Sequence, residues 1–162
     1  MKKLIGLLAV AFVVNTAHVF ASETPCKVGE KGPGGGYIFV CLSEQASNLT
    51  GMKGLEAAEK DLPGGSNYTW KMAMDGCKDL RDGGFSNWVL PNKEALNLMY
   101  ERLYLNGNKG KFTDLYYWSS SENGGLGAWL QYFKYGYQGY YLKVSDPKGY
   151  NASNDARCVR AF

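Results

Sequence analysis

The sequence predicts an α+β fold in which two helices pack on antiparallel sheets and disulfides stabilise the domain. Helical periodicity occurs in the middle of the chain, over 69–81 and again after Asn92. Runs of β-branched and aromatic residues, separated by glycine-containing turns, occupy both flanks. The chain also contains four cysteines, an even number that suits a disulfide framework.

The first 21 residues have the layout of a secretory signal peptide. Lys2 and Lys3 precede an apolar run from Leu4 to Val14, and Val19-Phe20-Ala21 is typical of a signal peptidase site. A permanent membrane anchor, the alternative, needs about 20 apolar residues. We therefore expect cleavage after Ala21, no membrane span in the mature protein, and a single domain over 22–162. The expected location is the periplasm, the cell surface or the medium.

Cleavage removes the one histidine, His18, together with two of the 18 basic residues, so 16 basic residues face 15 acidic ones. Imidazole is the usual general base near neutral pH and the commonest metal ligand. Ser-His-Asp, Cys-His and histidine-rich zinc chemistry are therefore excluded, and we expect no metal or cofactor. Nucleic acid is a poor candidate ligand because no dense basic stretch occurs.

The cysteines are expected to pair because the chain is destined for an oxidising compartment. Three connectivities are possible, and zinc binding is disfavoured because no close Cys-x-x-Cys pair is present. We favour Cys26–Cys41, which closes a short glycine-rich hairpin. The second favoured pair, Cys77–Cys158, ties a mid-chain helix to the last strand and adds on the order of 4 kcal/mol by restricting the unfolded chain.

Two strands are predicted before the helices, Gly34 to Leu42 and Leu55 to Ala58. The glycine cluster Gly34-Gly35-Gly36 is not a phosphate loop, because such a loop follows a strand, opens a helix and ends in Lys-Ser/Thr. Tight turning or close backbone packing is the expected role of these glycines.

In the first predicted helix, Trp70, Ala73, Met74, Cys77 and Leu80 share one face. We expect Asp82-Gly83-Gly84 to end it through a left-handed glycine. Asn92 is the expected N-cap of the second helix. The buried stripe of the second helix is predicted to comprise Ala95, Leu96, Met99, Tyr100 and Leu103.

The remaining elements are predicted strands over 115–119, 128–135, 140–144 and 157–162. Along the 128–135 strand, residues alternate between the two faces of the sheet. Both faces carry apolar side chains, as expected for a strand inside a layered α+β domain.

The order and spacing of several motifs between Gly34 and Phe162 resemble the C-terminal domain of the Legionella collagen-like protein and its bacterial relatives. The motifs are Gly34-Gly35-Gly36-Tyr37-Ile38-Phe39, Cys77-x-x-Leu80, Trp88-Val89-Leu90-Pro91 with Glu94 and Leu96, Tyr117-Trp118-Ser119-Ser120-Ser121-Glu122, Ala128-Trp129 to Phe133 with Gly136, Lys143, and Arg157-Cys158-Val159-Arg160.

The resemblance implies a C-type-lectin-like fold with the chain ends meeting in one sheet, which also favours Cys77–Cys158. It implies adhesin-like binding of sulfated polysaccharide or glycosaminoglycan on a host or cell surface, and trimers by analogy. Calcium-dependent sugar binding is not implied, because Leu90-Pro91-Asn92 lacks the required glutamate. Val89 replaces an arginine usual in the family, so any ligand role of that arginine is absent.

Basic residues and tyrosines interleave toward the end of the chain, where cations neutralise sulfates and aromatic faces stack on sugar rings. The alternative is that the tyrosines pack within the sheet and the charges are ordinary solvated positions. The candidate ligand-binding residues are Lys134, Tyr135, Tyr137, Tyr141, Lys143, Lys148 and Arg160.

Two other functions compete with polysaccharide binding. One is an envelope protein-interaction or structural module that uses exposed aromatic residues. The other is a glycan hydrolase built on carboxylates such as Glu94, Asp114 and Glu122, beside the serines of 119–121. A glycosidase needs two carboxylates about 5–10 Å apart, which a sequence does not establish. Without histidine or a free cysteine, we expect the protein not to be an enzyme.

Overall fold

The structure, a computed structural model, describes residues 25–144 and 154–162. The predicted signal peptide therefore lies outside the described residues. None of the helices in those two ranges has the length and apolar character needed to cross a membrane.

The described residues form an α+β structure with two antiparallel sheets. The first sheet has the strand order β1-β2-β6, so strands from both ends of the described chain flank β2. The second sheet has the order β3-β4-β5. The strands are β1 (Tyr37–Cys41), β2 (Gly54–Ala57), β3 (Tyr116–Asn123), β4 (Gly127–Tyr132), β5 (Gln138–Leu142) and β6 (Val159–Ala161).

Helices α2 (Trp70–Asp79) and α3 (Lys93–Met99) are the two that periodicity predicted. Each begins at a side-chain cap that satisfies a backbone N–H group. Thr69 Oγ1 accepts from the Met72 amide at 3.3 Å, and Asn92 Oδ1 accepts from the Ala95 amide at 2.7 Å. The predicted cap at Asn92 is confirmed.

Three details of the helices differ from the sequence prediction. The described residues contain a third helix, α1 (Glu44–Thr50), which buries none of its side chains and so has no apolar stripe to reveal it. Helix α3 continues as a π-helical turn, Tyr100–Tyr104. The predicted glycine exit of α2 is wrong, because α2 ends at Asp79 and its C-cap, Leu80, is extended, while the left-handed Gly83 and Gly84 lie in the next turn.

The predicted 128–135 strand is too long. β4 ends at Tyr132, where the backbone turns toward β5 through Gly136, which has a φ of 79°. Lys134 and Tyr135 therefore lie in an exposed turn rather than in the sheet.

Two apolar clusters hold the layers together. One cluster includes Trp88, Trp118 and Leu130, and the Cys77–Cys158 bridge lies within it. The other cluster includes Leu96 and Phe133, which pack where α3 meets the sheets.

Both predicted disulfides are confirmed, with Cα–Cα distances of 5.7 Å for Cys26–Cys41 and 5.4 Å for Cys77–Cys158.

The glycine cluster wraps a buried carboxylate. The amides of Gly34 and Gly36 donate to the Glu56 carboxylate at 2.9 and 3.2 Å, and the Arg160 guanidinium pairs with the same group. A Cβ at Gly34 would lie 2.7 Å from Glu56 Oε1 and 3.0 Å from Trp88. The predicted role in close backbone packing is therefore confirmed, and the backbone amides face the protein's own carboxylate.

Gly34→Ala is expected to lower the free energy of unfolding by about 1–3 kcal/mol, because the added methyl overpacks the Glu56–Arg160 pair. Urea unfolding of the oxidised protein measures the loss. Gly125→Ala is the matched control, since no atom of the described residues lies within 4 Å of a Cβ at that position. Equal stability of the two variants would show that the loop has room to relax.

Candidate binding surface

The edge strand of the second sheet presents a row of tyrosines. The register pairs Leu130 with Gly139 and Ala128 with Tyr141, and the Tyr132 amide donates to the Tyr137 carbonyl at 3.0 Å. Tyr137, Gly139 and Tyr141 therefore share one face of β5. Tyr137 is 50% exposed and Tyr141 is 46% exposed, so both rings are available to a ligand.

Four tyrosines form a contiguous group at one end of this face, which we call the tyrosine cluster: Tyr116, Tyr132, Tyr135 and Tyr137. The rings of Tyr116 and Tyr132 stack with centroids 4.2 Å apart. Tyr135 and Tyr137 approach Tyr132 edge-on, at 5.2 and 5.3 Å. Each ring therefore limits the freedom of the next, which lowers the entropy lost when a ligand binds.

The hydroxyls of Tyr116 and Tyr137 hydrogen-bond to each other at 2.6 Å. This bond, together with a smaller effect of burial, raises the pKa of Tyr116 above its ordinary value. The linked phenols hold Tyr137 against the sheet while half of its surface stays exposed. The cluster is thus an anchored aromatic surface rather than a set of loose side chains.

The predicted cations do not all share the surface of the tyrosine cluster. Lys134 does, because it is exposed and its Nζ lies 5.3 Å from the centre of the Tyr135 ring. Lys143 is mostly buried, with a side chain that is 14% exposed and a Nζ that pairs with Glu122 at 2.5 Å. The Lys143 Nζ also lies 4.8 Å from the Trp70 ring. Lys143 is therefore already engaged within the chain.

Arg160 belongs to the interior. Its guanidinium pairs with the buried Glu56 and lies over the Phe85 ring, 3.6 Å from the ring centroid. The Arg160 side chain is 5% exposed. Arg157 is likewise buried, in an ion pair with Asp61 at 2.6 Å. Neither arginine is available to a sulfate at the surface. Lys148 lies outside the described residues.

A second polar network contains two carboxylates, the buried Asp155 and the partly exposed Asp61. Tyr117 links them: its hydroxyl donates to Asp61 at 2.9 Å and accepts from the Thr113 amide at 2.8 Å. Thr113 donates through Oγ1 to Asp155 at 2.5 Å. Asp61 also pairs with Arg157, so each carboxylate is engaged by other groups of the fold.

Burial raises the pKa of Asp61, while the Arg157 guanidinium and the Tyr117 hydroxyl oppose that rise. Burial and the nearby Asp61 charge also raise the pKa of Tyr117. These shifts belong to an enclosed network in which Arg157 further donates to the carbonyls of Ala58 and Gly110. The arrangement cross-links three segments of the chain, around Asp61, Gly110 and Arg157.

The residues considered for a hydrolase are dispersed. Glu94 is exposed on α3, and Glu122 pairs with Lys143. Asp114 accepts from the Tyr104 hydroxyl at 2.6 Å, a bond that raises the pKa of Tyr104 to about 12. Ser119 is buried and donates to the Trp129 carbonyl at 2.9 Å. Over 25–144 and 154–162, no three histidine, cysteine or acidic residues are grouped closely enough to hold a metal.

The sequence analysis missed an aromatic group on the opposite face of β4 and β5. Trp129 and Tyr140 meet edge-on with ring centroids 6.0 Å apart, and the Lys93 Nζ lies 4.5 Å from the Trp129 ring. Tyr140 is 64% exposed. The alternation of residues along β4 placed Trp129 on this face, but only the register with β5 brings Tyr140 beside it.

An open groove of about 340 Å³ lies at the end of the second sheet, lined by Asn123, Leu126, Gly127, Tyr140, Tyr141 and Leu142. A larger depression of about 790 Å³ lies beside Cys26 and is flanked by Lys27, Lys31 and Lys53. Lys27 and Lys31 pair with Glu30 and Glu59 across 3.3 and 2.7 Å, which reduces the positive charge of that depression.

No family model matches this chain, and no curated protein proves similar to it. The resemblance to the C-terminal domain of the Legionella collagen-like protein therefore rests on the motifs alone. Val89, which replaces the usual arginine, is 55% exposed, and its backbone exchanges two hydrogen bonds of 2.8 Å with Val159. The substitution thus changes the surface and leaves the core packing of Trp88 and Leu90 intact.

Proposed function

We propose that this protein is an exported, non-enzymatic binding module that recognises polysaccharide through its tyrosine cluster. The observation that carries the proposal is the anchored group of four rings beside the exposed Lys134. Aromatic faces pack on the apolar faces of sugar rings, and the phenol hydroxyls bind sugar hydroxyls. Two disulfides suit an oxidising compartment, which supports export.

Stacking is the main source of affinity in this proposal, with sulfate recognition secondary. Arg157 and Arg160 are buried, and Lys143 is paired with Glu122. Lys134 is the exposed cation next to the cluster and supplies one charge for an anionic substituent. A single exposed charge gives a shallow dependence of affinity on salt.

We further propose that the fold is C-type-lectin-like, as the resemblance implies. Support comes from β1 and β6, which flank β2 in one sheet, and from the bridge that ties α2 to the residue before β6. An experimental structure compared with lectin-like domains tests this assignment. A different connection between the two sheets would contradict it.

Tyr137→Ala is expected to weaken polysaccharide binding about tenfold, and Tyr135→Ala about threefold, because each removes one stacking face. A glycan array identifies the ligand, and calorimetry with that ligand and the mature protein measures the affinities. Leu49→Ala, an exposed change on α1, is the control. Unchanged binding by both tyrosine variants would remove the cluster from the proposal.

Lys134→Glu tests the charged part of the site. We expect a loss of about threefold for a sulfated polysaccharide and no loss for its desulfated form. Elution from a dextran-sulfate column by modest salt, with no retention of Lys134→Glu, would shift the proposal toward polyanion binding. Salt-insensitive capture of a protein, with no glycan bound on the array, would favour a protein-interaction module instead.

A further inference from the structure

The outer edge of β5 carries backbone groups that no strand within 25–144 and 154–162 pairs with. The amide of Tyr132 donates to Tyr137 and the amide of Lys143 donates to Leu126, both at 3.0 Å. In an antiparallel ladder such pairs recur every second residue, so residues 137, 139, 141 and 143 direct their backbone polar groups toward β4. The N–H and C=O groups of Gln138, Tyr140 and Leu142 therefore point away from the sheet, where no strand of the described residues pairs with them.

This edge lacks the features that prevent a free edge strand from pairing with a strand of another molecule. Soluble proteins protect free edges with lysine, proline or a bulge. The segment from Gln138 to Leu142 contains no charged residue and no proline. Its register with β4 is regular over five residue pairs. The nearest lysine, Lys143, turns back toward Glu122 and the Gly125 carbonyl of its own chain.

We infer that β5 pairs with β5 of a second copy of this chain, antiparallel across a two-fold axis at Tyr140, so that the two second sheets form one continuous sheet. Pairing centred on Tyr140 sets Gln138 opposite Leu142 of the second copy. It forms about six backbone hydrogen bonds between the chains. No like charges meet, because the segment is neutral.

The side chains of this register are self-complementary, which favours a second copy over an unrelated strand. Gly139 stands opposite Tyr141 of the second copy. Among the described residues, the nearest atom to a Cβ added at Gly139 is Leu130 Cδ1 at 4.0 Å, so this part of the chain leaves room above Gly139. An aromatic ring over a glycine of a neighbouring strand covers the exposed backbone and packs well. The two Tyr140 rings, each 64% exposed, form a cross-strand pair on the other face.

Substitutions at Tyr140 separate the contribution of the backbone to dimer stability from the contribution of the side chain. Tyr140→Pro removes an outward N–H group without touching a bond to β4, and proline is tolerated at such an edge position. Tyr140→Thr removes the ring but keeps the N–H group. In sedimentation equilibrium of the mature oxidised protein, we expect the dimer dissociation constant to rise about a hundredfold for proline and about threefold for threonine.

A charge-exchange experiment keeps the inference testable even if the proline variant does not fold. Tyr140→Lys and Tyr140→Glu each place like charges opposite one another at the two-fold axis, so each variant alone is expected to be monomeric. Their mixture is expected to form a one-to-one heterodimer. A monomeric wild-type protein, or the same dimer in every variant, would overturn the inference. These variants leave Tyr135 and Tyr137 unchanged, so the failure of dimerisation and the failure of polysaccharide binding are distinguishable.

Discussion

Arg160→Met is expected to lower the free energy of unfolding by about 3–5 kcal/mol. A loss of this size would show that Arg160 stabilises the fold and is not part of the ligand-binding surface. Glu56 is fully buried and accepts from the amides of Gly34 and Gly36 as well as from Arg160. Removal of the guanidinium leaves a carboxylate in the interior without its cation. Urea unfolding monitored by circular dichroism, with the disulfides oxidised, measures the loss.

The matched control for Arg160 is Lys134→Met, which removes an exposed cation and should change stability by less than about 0.5 kcal/mol. Glu56→Gln combined with Arg160→Met is expected to recover part of the loss, because no unpaired charge remains. If Arg160→Met were as stable as the control, the Glu56–Arg160 pair would contribute nothing to the fold. Its buried position would then need another explanation.

Replacement of Cys77 and Cys158 by alanine is expected to cost about 4.5 kcal/mol, mostly through the greater freedom of the unfolded chain. This bridge joins residues 81 apart in the sequence, whereas Cys26–Cys41 joins residues 15 apart and should be worth about 3 kcal/mol. Both sulfurs of the long bridge lie in the core, so their loss also removes packing contacts. Thermal unfolding of the two double variants gives the comparison.

The accessibility of the two bridges provides an independent measurement. Cys77 and Cys158 are buried, whereas Cys26 and Cys41 are half-buried. A mild reductant without denaturant should therefore open Cys26–Cys41 first, as alkylation and mass spectrometry would record. A greater loss of stability from the Cys26–Cys41 variant than from the Cys77–Cys158 variant would contradict the ranking.

The helices and strands that bury a regular apolar face were predictable. Helix α2 shows its stripe from Trp70 to Leu80, and α3 shows both its stripe and its Asn92 cap. Helix α1 was missed because it buries no side chain, so its sequence carries no periodic constraint. The end of β4 was misplaced because the turn after Tyr132 contains Phe133 and Tyr135, residues with high β propensity.

The sequence named some of the residues of the candidate surface but not how they are grouped. Tyr135 and Tyr137, two of the interleaved tyrosines, both contact Tyr132 in the structure, and their role in binding stays a prediction. The sequence does not show which basic residues are exposed, because the local sequence around an arginine does not reveal whether its side chain faces solvent or a buried carboxylate. Trp129 and Tyr140 were missed because their proximity depends on the pairing of β4 with β5.

By itself, the sequence predicted the α+β class, the two periodic helices, the Asn92 cap and an even set of cysteines suited to disulfides, since each depends on residue type and local spacing. Tertiary structure alone decided that Arg160 and Arg157 are buried in ion pairs with Glu56 and Asp61, and that four tyrosines meet at one end of the second sheet. Such contacts join residues up to 104 positions apart. Their partners are selected by the packing of the sheets, which no local pattern of residues encodes.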